Sequence, residues 1–275
     1  MTSVRDALDS ALVALRASRV DSPRLDAELL LADALGVERA RLYLDRDLQV
    51  TGPAARRFQD HVRRRTVGRE PVAYLLGRKG FRNLDLAVDP RVLIPRPETE
   101  LLVELAVAEV PQGARAADVG TGSGAVALAL ADERPDLRVT GSDISPDALD
   151  VARANGERLG LAVDWVLADG LPPGDFDAVA ANLPYVREGD RRTLAPEIVR
   201  HEPAGALFSG GDGLDAIRAV VARAARRVAW LALEHGDDQG PAVRAMLRGA
   251  GYATVRTERD LAGRERATVG TVDRP

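Results

Sequence analysis

Cysteine is absent from all 275 residues, which excludes disulfides, thiolate nucleophiles and thiolate metal sites. Histidine is scarce. His61, His201 and His235 are the only three, and no two stand at the spacing that puts imidazoles on one helix face. No metal site is expected. No apolar run approaches the ~20 residues that a membrane-spanning helix requires. The N-terminal stretch MTSVRDALDSALVALRAS carries acids early and lacks the apolar core and small-residue cleavage site of a signal peptide. The chain therefore reads as cytoplasmic, with no membrane partner.

What is present is ordinary for a folded domain of this length. Apolar residues at 45% and charged residues at 29% suit one sizeable domain with a smaller one beside it. The formal charge of −4 argues against nucleic-acid binding over the whole surface. Its distribution is uneven, with residues 1–80 at net +4 and the remainder at net −8. The arginine-rich segment GPAARRFQDHVRRRTVGRE has no interleaved aromatic residues to stack on bases, so a solvated helix face explains it better than a nucleic-acid patch.

Up to about residue 75 the pattern is helical. VRDALDSALVALRAS places apolar residues three and four apart, and SPRLDAELLLADALG opens with Ser22 as a cap, Pro23 in the first turn and Gly36 at its end. Between 72 and 95 short alternating stretches around Arg82-Asn83 predict a β-hairpin connector. PRPETELLVELAVAEV then starts a helix with an acidic first turn. After it AADVG, RVTGSD, DAVAAN and VAWLALEH are short apolar runs, each followed by a helical pattern. That alternation predicts a parallel sheet with helices on both faces.

The first of these strands runs into DVGTGSGAVALALA, with Gly120, Gly122 and Gly124 ahead of a helix. Glycines let a ligand approach the backbone closely, and the helix N-terminus offers free N–H groups. The spacing also satisfies a dinucleotide fingerprint, so a nicotinamide cofactor stays open at this point. Asp143, ending the next strand, can accept both ribose hydroxyls of an adenosine in either case. Asp169 at the third strand end can accept a hydrogen bond from an adenine amino group, with Gly170 along the base.

The motif ANLPYV (181–186) distinguishes the cofactors. In a doubly wound sheet it falls where a second substrate meets the cofactor. An amide or aromatic amino nitrogen is a poor nucleophile because its lone pair is delocalised. The Asn182 side-chain oxygen and the Leu183 carbonyl can each accept one N–H and encourage that nitrogen to pyramidalise. Pro184 stiffens the turn, and Tyr185 offers a flat wall for a planar group. A sulfonium methyl in line with the nitrogen completes a direct displacement, in which positioning carries most of the rate. Hydride transfer has no use for such a clamp.

With these motifs in order, the chain closely resembles the protein-(glutamine) methyltransferases that modify peptide chain release factors (the HemK/PrmC family). The resemblance runs through SPRLDAELLLADALG, REPVAYLLGRKGF, LIPRPETELLVE, the glycine loop, SDISPDALDVARAN, ANLPYV, HEPAGALFSGGDGLDAIR, LALEHGDDQGPAVRAMLRGAGY and DLAGRERATVG. It implies a helical N-terminal domain (1–75) that docks release factors, a β-hairpin linker (76–96) and a catalytic domain (97–275). The last would be an α/β, Rossmann-like, seven-stranded class I S-adenosylmethionine-dependent methyltransferase domain with an antiparallel last strand. By position, Gly120, Thr121, Gly122, Ser123, Gly124, Asp143, Asp169 and Gly170 would contact S-adenosylmethionine, as would Asn182. Asn182, Leu183, Pro184 and Tyr185 would hold the glutamine of a Gly-Gly-Gln motif, with Asn182 and Tyr185 as the catalytic pair. A monomer without direct nucleic-acid binding is expected.

One departure is Leu183, where the family carries proline. That position contributes its carbonyl, which leucine also has. The spelling Asn-Leu-Pro-Tyr also resembles the motif of ribosomal RNA adenine dimethyltransferases, which makes an amino methyltransferase acting on adenine in RNA or DNA the rival reading. Glu98, Thr99 and Glu100 could meet the methionine end of the cofactor or simply start a helix. Glu234 and His235 look catalytic, although a structural role at the strand end fits them equally.

Overall fold

The structure, a computed structural model, describes residues 2–225 and 227–272. In chain order its helical part comprises β1 (Thr2–Ser3), α1 (Val4–Ala17), α2 (Pro23–Leu35), α3 (Arg41–Leu44), β2 (Gln49–Val50), α4 (Gly52–Thr66) and α5 (Val72–Leu76). The hairpin β3 (Arg78–Phe81) and β4 (Leu84–Ala87) follows, and then α6 (Glu100–Glu109). The strand–helix alternation comprises β5 (Arg115–Val119), α7 (Ala125–Glu133), β6 (Arg138–Asp143), α8 (Pro146–Leu159), β7 (Asp164–Leu167) and β8 (Ala178–Ala181). The chain ends with α9 (Pro196–His201), α10 (Asp215–Ala224), β9 (Trp230–Glu234), α11 (Gly240–Gly249), β10 (Thr254–Arg259) and β11 (Glu265–Thr271).

Two compact units emerge. The smaller contains the residues up to Gly77 and also Ala195–His201, a return of the chain that the sequence does not announce. Its core gathers Leu15, Leu30, Leu31, Leu42, Phe58 and Leu75. Ser3 caps α1 with a reciprocal bond to Asp6, whereas Ser22 makes no side-chain cap. Pro23 at the first turn of α2 and left-handed Gly36 (φ 66°) set the ends of that helix instead. The α4 arginines are largely paired, as with Arg57 to Asp33 at 2.9 Å and Arg65 to Asp26 at 2.7 Å. Glu197 of α9 receives Arg65 at 2.8 Å and Arg69 at 2.7 Å, which fixes the returning segment within this unit.

The larger unit holds the expected α/β sheet, in the order β10-β11-β9-β8-β5-β6-β7. Strands β9, β8, β5, β6 and β7 pair in parallel, and β11 runs antiparallel to β9. Side chains alternate across the sheet. Ala116, Ala178, Ala180 and Ala232 face α6, α7 and the hairpin residues Phe81 and Leu86. Ala117, Val119, Val179, Ala181, Leu231 and Leu233 face Ile217 and Val220 of α10 and Val243 and Leu247 of α11. Gly141 of β6 has no room for a side chain, because a Cβ there would lie 2.4 Å from the Trp165 ring on β7. The hairpin turns at Arg82, which takes a positive φ of 50°. Its N–H donates to Glu100 at 3.0 Å and its guanidinium grips Glu133 at 2.8 Å, which offsets that backbone cost. The chain builds β5, β6 and β7 outward on one side, then crosses back to place β8 on the other. The switch point therefore lies between β5 and β8.

Candidate active site

A cavity of about 530 Å³ opens at that switch point. Gly120, Gly122, Asp143, Asp169, Gly170, Asn182, Leu183 and Pro184 are among its walls. A smaller recess of about 50 Å³ is lined by Thr99, Asp118, Gly120, Thr121, Gly122, Ser123 and Asn182. Two other hollows, of about 440 and 410 Å³, lie within the helical unit and share none of these residues.

The glycine loop is held from below by backbone and by one buried acid. Gly120 and Thr121 both donate N–H bonds of 2.9 Å to the Ser142 carbonyl. Asp118 Oδ2 accepts the Thr121 hydroxyl at 2.6 Å and the Ala127 N–H at 3.1 Å. Burial pushes the Asp118 carboxyl up to about 6, opposed by those two bonds. Gly120 has a φ of +74°, and a Cβ there would lie 3.1 Å from Leu183 Cδ2. The leucine that departs from the family spelling thus packs against the loop. Gly124 stands outside both cavities, and a Cβ on it would meet Leu128 and Trp165 at 3.0 Å, so it serves packing.

Asp143 divides its carboxylate. Oδ2 accepts the Gly122 N–H at 2.9 Å and Oδ1 the Ser145 N–H at 2.9 Å. Each oxygen keeps a lone pair for a ligand hydroxyl. Asp169 and Gly170 meet the cavity from the end of β7, with the Arg223 guanidinium on the Asp169 carbonyl.

The motif at 182–185 leaves the tip of β8, flanked in the sheet by β5 and β9. Asn182 Nδ2 donates to the Thr99 hydroxyl at 2.9 Å, and the Tyr185 hydroxyl donates to Glu234 Oε1 at 3.2 Å. Thr99 therefore sits behind the motif rather than beginning a helix idly, while Glu100 is turned away to the hairpin. Glu234 is 1% exposed, and burial raises its carboxyl to about 7, with Thr99, Arg266 and Tyr185 pulling it down. Burial likewise raises the Tyr185 phenol above its ordinary value. His235, one residue on, faces elsewhere. Its ring nitrogens bond the Thr268 hydroxyl at 2.7 Å and the Gly236 carbonyl at 2.8 Å, which is a structural role.

Three supporting residues have partners that sequence reasoning does not supply, although His201-Glu202-Pro203 reads as shaping a loop near the substrate. Gln239 donates to the Tyr185 carbonyl at 3.0 Å and receives the Gly236 N–H at 2.8 Å. Asn155, fully buried, donates to the Ser123 and Ala87 carbonyls at 3.0 Å, tying α8 to the glycine loop and the hairpin. Glu202 receives the Ile94 N–H at 3.3 Å and Arg96 at 2.6 Å. All three lie in segments that carried the resemblance, but nothing local marks them as buried polar anchors. Among the described residues no helix is long and apolar enough to cross a membrane, and no group of three His, Asp or Glu side chains is placed to hold a metal ion.

Known proteins match both units. Residues 6–77 match the model of the PrmC N-terminal domain, and residues 116–205 that of a methyltransferase domain. A release factor glutamine methyltransferase of Pseudomonas aeruginosa is 48% identical, over 91% of this chain and 94% of its own. Its counterpart in Xylella fastidiosa is 44% identical, over 94% and 96%. A solved methyltransferase from Pyrococcus furiosus shares the fold at a TM-score of 0.52 and 19% identity, covering 68% of this chain and 87% of that one.

Proposed function

The chain belongs to the release factor glutamine methyltransferase family, and we propose that it methylates the side-chain nitrogen of the glutamine in the Gly-Gly-Gln motif of release factors, with S-adenosylmethionine as donor. The observation that carries this reading is the clamp at the tip of β8, set beside a cavity whose walls include Asp143, Asp169 and the glycine loop. Those walls fit the donor. Asp143 would take the ribose hydroxyls, Asp169 and Gly170 the adenine, and Gly120 and Gly122 the glycine-loop wall of the cavity, with Thr121 and Ser123 lining the smaller recess beside it. The cofactor supplies an electrophilic methyl group.

The chain's own residues act on the acceptor. Asn182 Oδ1 and the Leu183 carbonyl each accept one N–H of the target amide, which draws its lone pair out of conjugation. Pro184 fixes the turn, and Tyr185 confines the planar group. The nitrogen loses a proton only after it has been alkylated, so no strong base is needed beforehand. The helical part, residues 1–75, would dock the release factor, with the 76–96 hairpin as linker and 97–275 as the catalytic part. Ala195–His201 belongs with the docking part in that division. A cytoplasmic monomer fits this role.

The test is transfer of labelled methyl from S-adenosylmethionine to a purified release factor carrying Gly-Gly-Gln or Gly-Gly-Ala. Label on the glutamine form alone supports the reading. Equal label on both forms would mean a different target residue. Label on adenine-containing RNA or DNA instead would favour the rival chemistry.

A further inference from the structure

The clamp works only if Asn182 turns its oxygen toward the substrate, and the shape of an amide does not decide that. Its neighbours must. Asn182 Nδ2 lies 2.9 Å from the Thr99 hydroxyl oxygen. A hydroxyl both gives and accepts, so the pair alone is equally stable reversed. Thr99 would then donate to Asn182 Oδ1, and two N–H donors would confront the N–H donors of a glutamine amide.

Glu234 breaks the tie. Its Oε1 accepts the Tyr185 hydroxyl at 3.2 Å, while its buried Oε2 has no hydrogen-bond partner. Thr99, in turn, accepts from Asn182, which leaves its own hydroxyl proton to be given. Both residues are buried, at 4% and 1% exposure. An unfilled acceptor near an unspent donor in a dry site is a matched pair, because leaving both unmade costs each its desolvation. Thr99 is also among the groups that favour the charged form of Glu234. The charged and titratable groups facing that carboxyl are Tyr185 from the loop after β8, Arg266 from β11 and Glu98 from the turn before α6. Arg266 is engaged elsewhere, by Asp260 at 3.2 Å and the His235 carbonyl at 3.2 Å.

We propose that Glu234 sets the polarity of the clamp: Oε2 accepts a hydrogen bond from the Thr99 hydroxyl, the Thr99 oxygen must then accept from Asn182 Nδ2, and Asn182 Oδ1 is left facing the target nitrogen. The same carboxyl holds Tyr185 through Oε1, so one buried acid aligns both ends of the motif. Thr99 and Glu234 are positioning residues. The inference rests on the glutamine methyltransferase reading above.

The test uses the full-length enzyme, a release factor with Gly-Gly-Gln and saturating S-adenosylmethionine at pH 8. Thr99→Val keeps the shape and removes the hydroxyl. It should lower kcat by about 10- to 100-fold, the scale of a misplaced positioning group, with cofactor Kd unchanged within about twofold. That unchanged Kd also shows the variant to be folded. Thr99→Ser restores the hydroxyl and should recover most of kcat. Glu234→Gln should lower kcat about tenfold alone and add nothing in the Thr99→Val background, as residues acting through one another do. Full kcat in Thr99→Val, no rescue by serine, or multiplicative losses would each overturn the inference. Should the wild-type enzyme transfer nothing to the glutamine, the functional reading fails and takes this inference with it.

Discussion

Strands β5 and β9 stand on either side of β8, and each carries a buried acid near its carboxyl end, yet the two acids sit in opposite kinds of surroundings. Asp118 receives two donors at Oδ2, the Thr121 hydroxyl and the Ala127 N–H, and both come from the loop and helix immediately after it in sequence. Glu234 receives one, from Tyr185 in another segment, and keeps Oε2 unpartnered. Burial raises both carboxyls. The locally satisfied acid shapes a loop, whereas the half-satisfied one keeps binding capacity for its neighbours. A buried carboxyl is thus read by its unfilled positions as much as by its contacts.

The contrast predicts that the two sides of β8 fail differently. Asn182→Ala removes the acceptor itself and should lower kcat by about 100- to 1000-fold, as loss of one preorganised polar group at a reacting centre does. Cofactor Kd, measured by calorimetry, should weaken far less than turnover, because Asn182 is one of several cofactor contacts. Unchanged turnover would remove the clamp from the mechanism. Asp118→Ala should show the reverse order of effects. It strands the Thr121 hydroxyl and the Ala127 N–H in a dry site, at about 1–3 kcal/mol each. The melting temperature should fall and cofactor Kd should weaken, and turnover at saturating cofactor should suffer least.

Gly120→Ala sharpens the loop side of the comparison. An alanine there meets a φ of +74° and lies 3.1 Å from Leu183 Cδ2. A left-handed conformation costs an L-residue about 1–2 kcal/mol, so cofactor Kd should rise roughly tenfold. Adding Leu183→Ala should recover only part of that loss, because it relieves the contact and not the dihedral angle. Complete recovery would mean that the leucine alone demands the glycine.

Much of the loop side was legible in the sequence for the same reason that it is locally satisfied. Gly120, Gly122 and Asp143 lie close along the chain, and strand–glycine–helix spacing is a local pattern, although the anchoring role of Asp118 was not read from it. The strand alternation and the hairpin turn at Arg82 were equally readable from period and punctuation, whereas the antiparallel last strand followed only from the family resemblance. Legibility ended where partners are distant. Thr99 meets Asn182 across 83 positions and Tyr185 meets Glu234 across 49, and neither spacing leaves a periodic trace. Glu234 and His235 read alike as a pair, and only their different partners, Tyr185 for the acid and Thr268 and Gly236 for the imidazole, separate them. The return of Ala195–His201 to the helical unit depends on Glu197 meeting Arg65 and Arg69, which composition cannot reveal.

The smallest expected effect is the dependence of stability on pH. A carboxyl whose folded pKa is raised binds more protons folded than unfolded, so its contribution is present at low pH and lost as pH rises. For Glu234 that loss begins near its ordinary value of 4.5 and is complete above about 7. For Asp118 it runs from 3.8 to about 6. Half-buried acids bonded to arginines, such as Asp136 and Glu265, are shifted down and act in the opposite direction, so the overall profile mixes signs. A difference isolates the acid. Chemical denaturation of wild type and Glu234→Gln at pH 5, 6, 7 and 8 should show wild type losing on the order of 1–3 kcal/mol relative to the variant up to pH 7, then levelling. A flat difference across that range would mean that Glu234 is charged throughout. Its charge would then be present at every pH where the enzyme works, and the polarity of the clamp would not respond to pH.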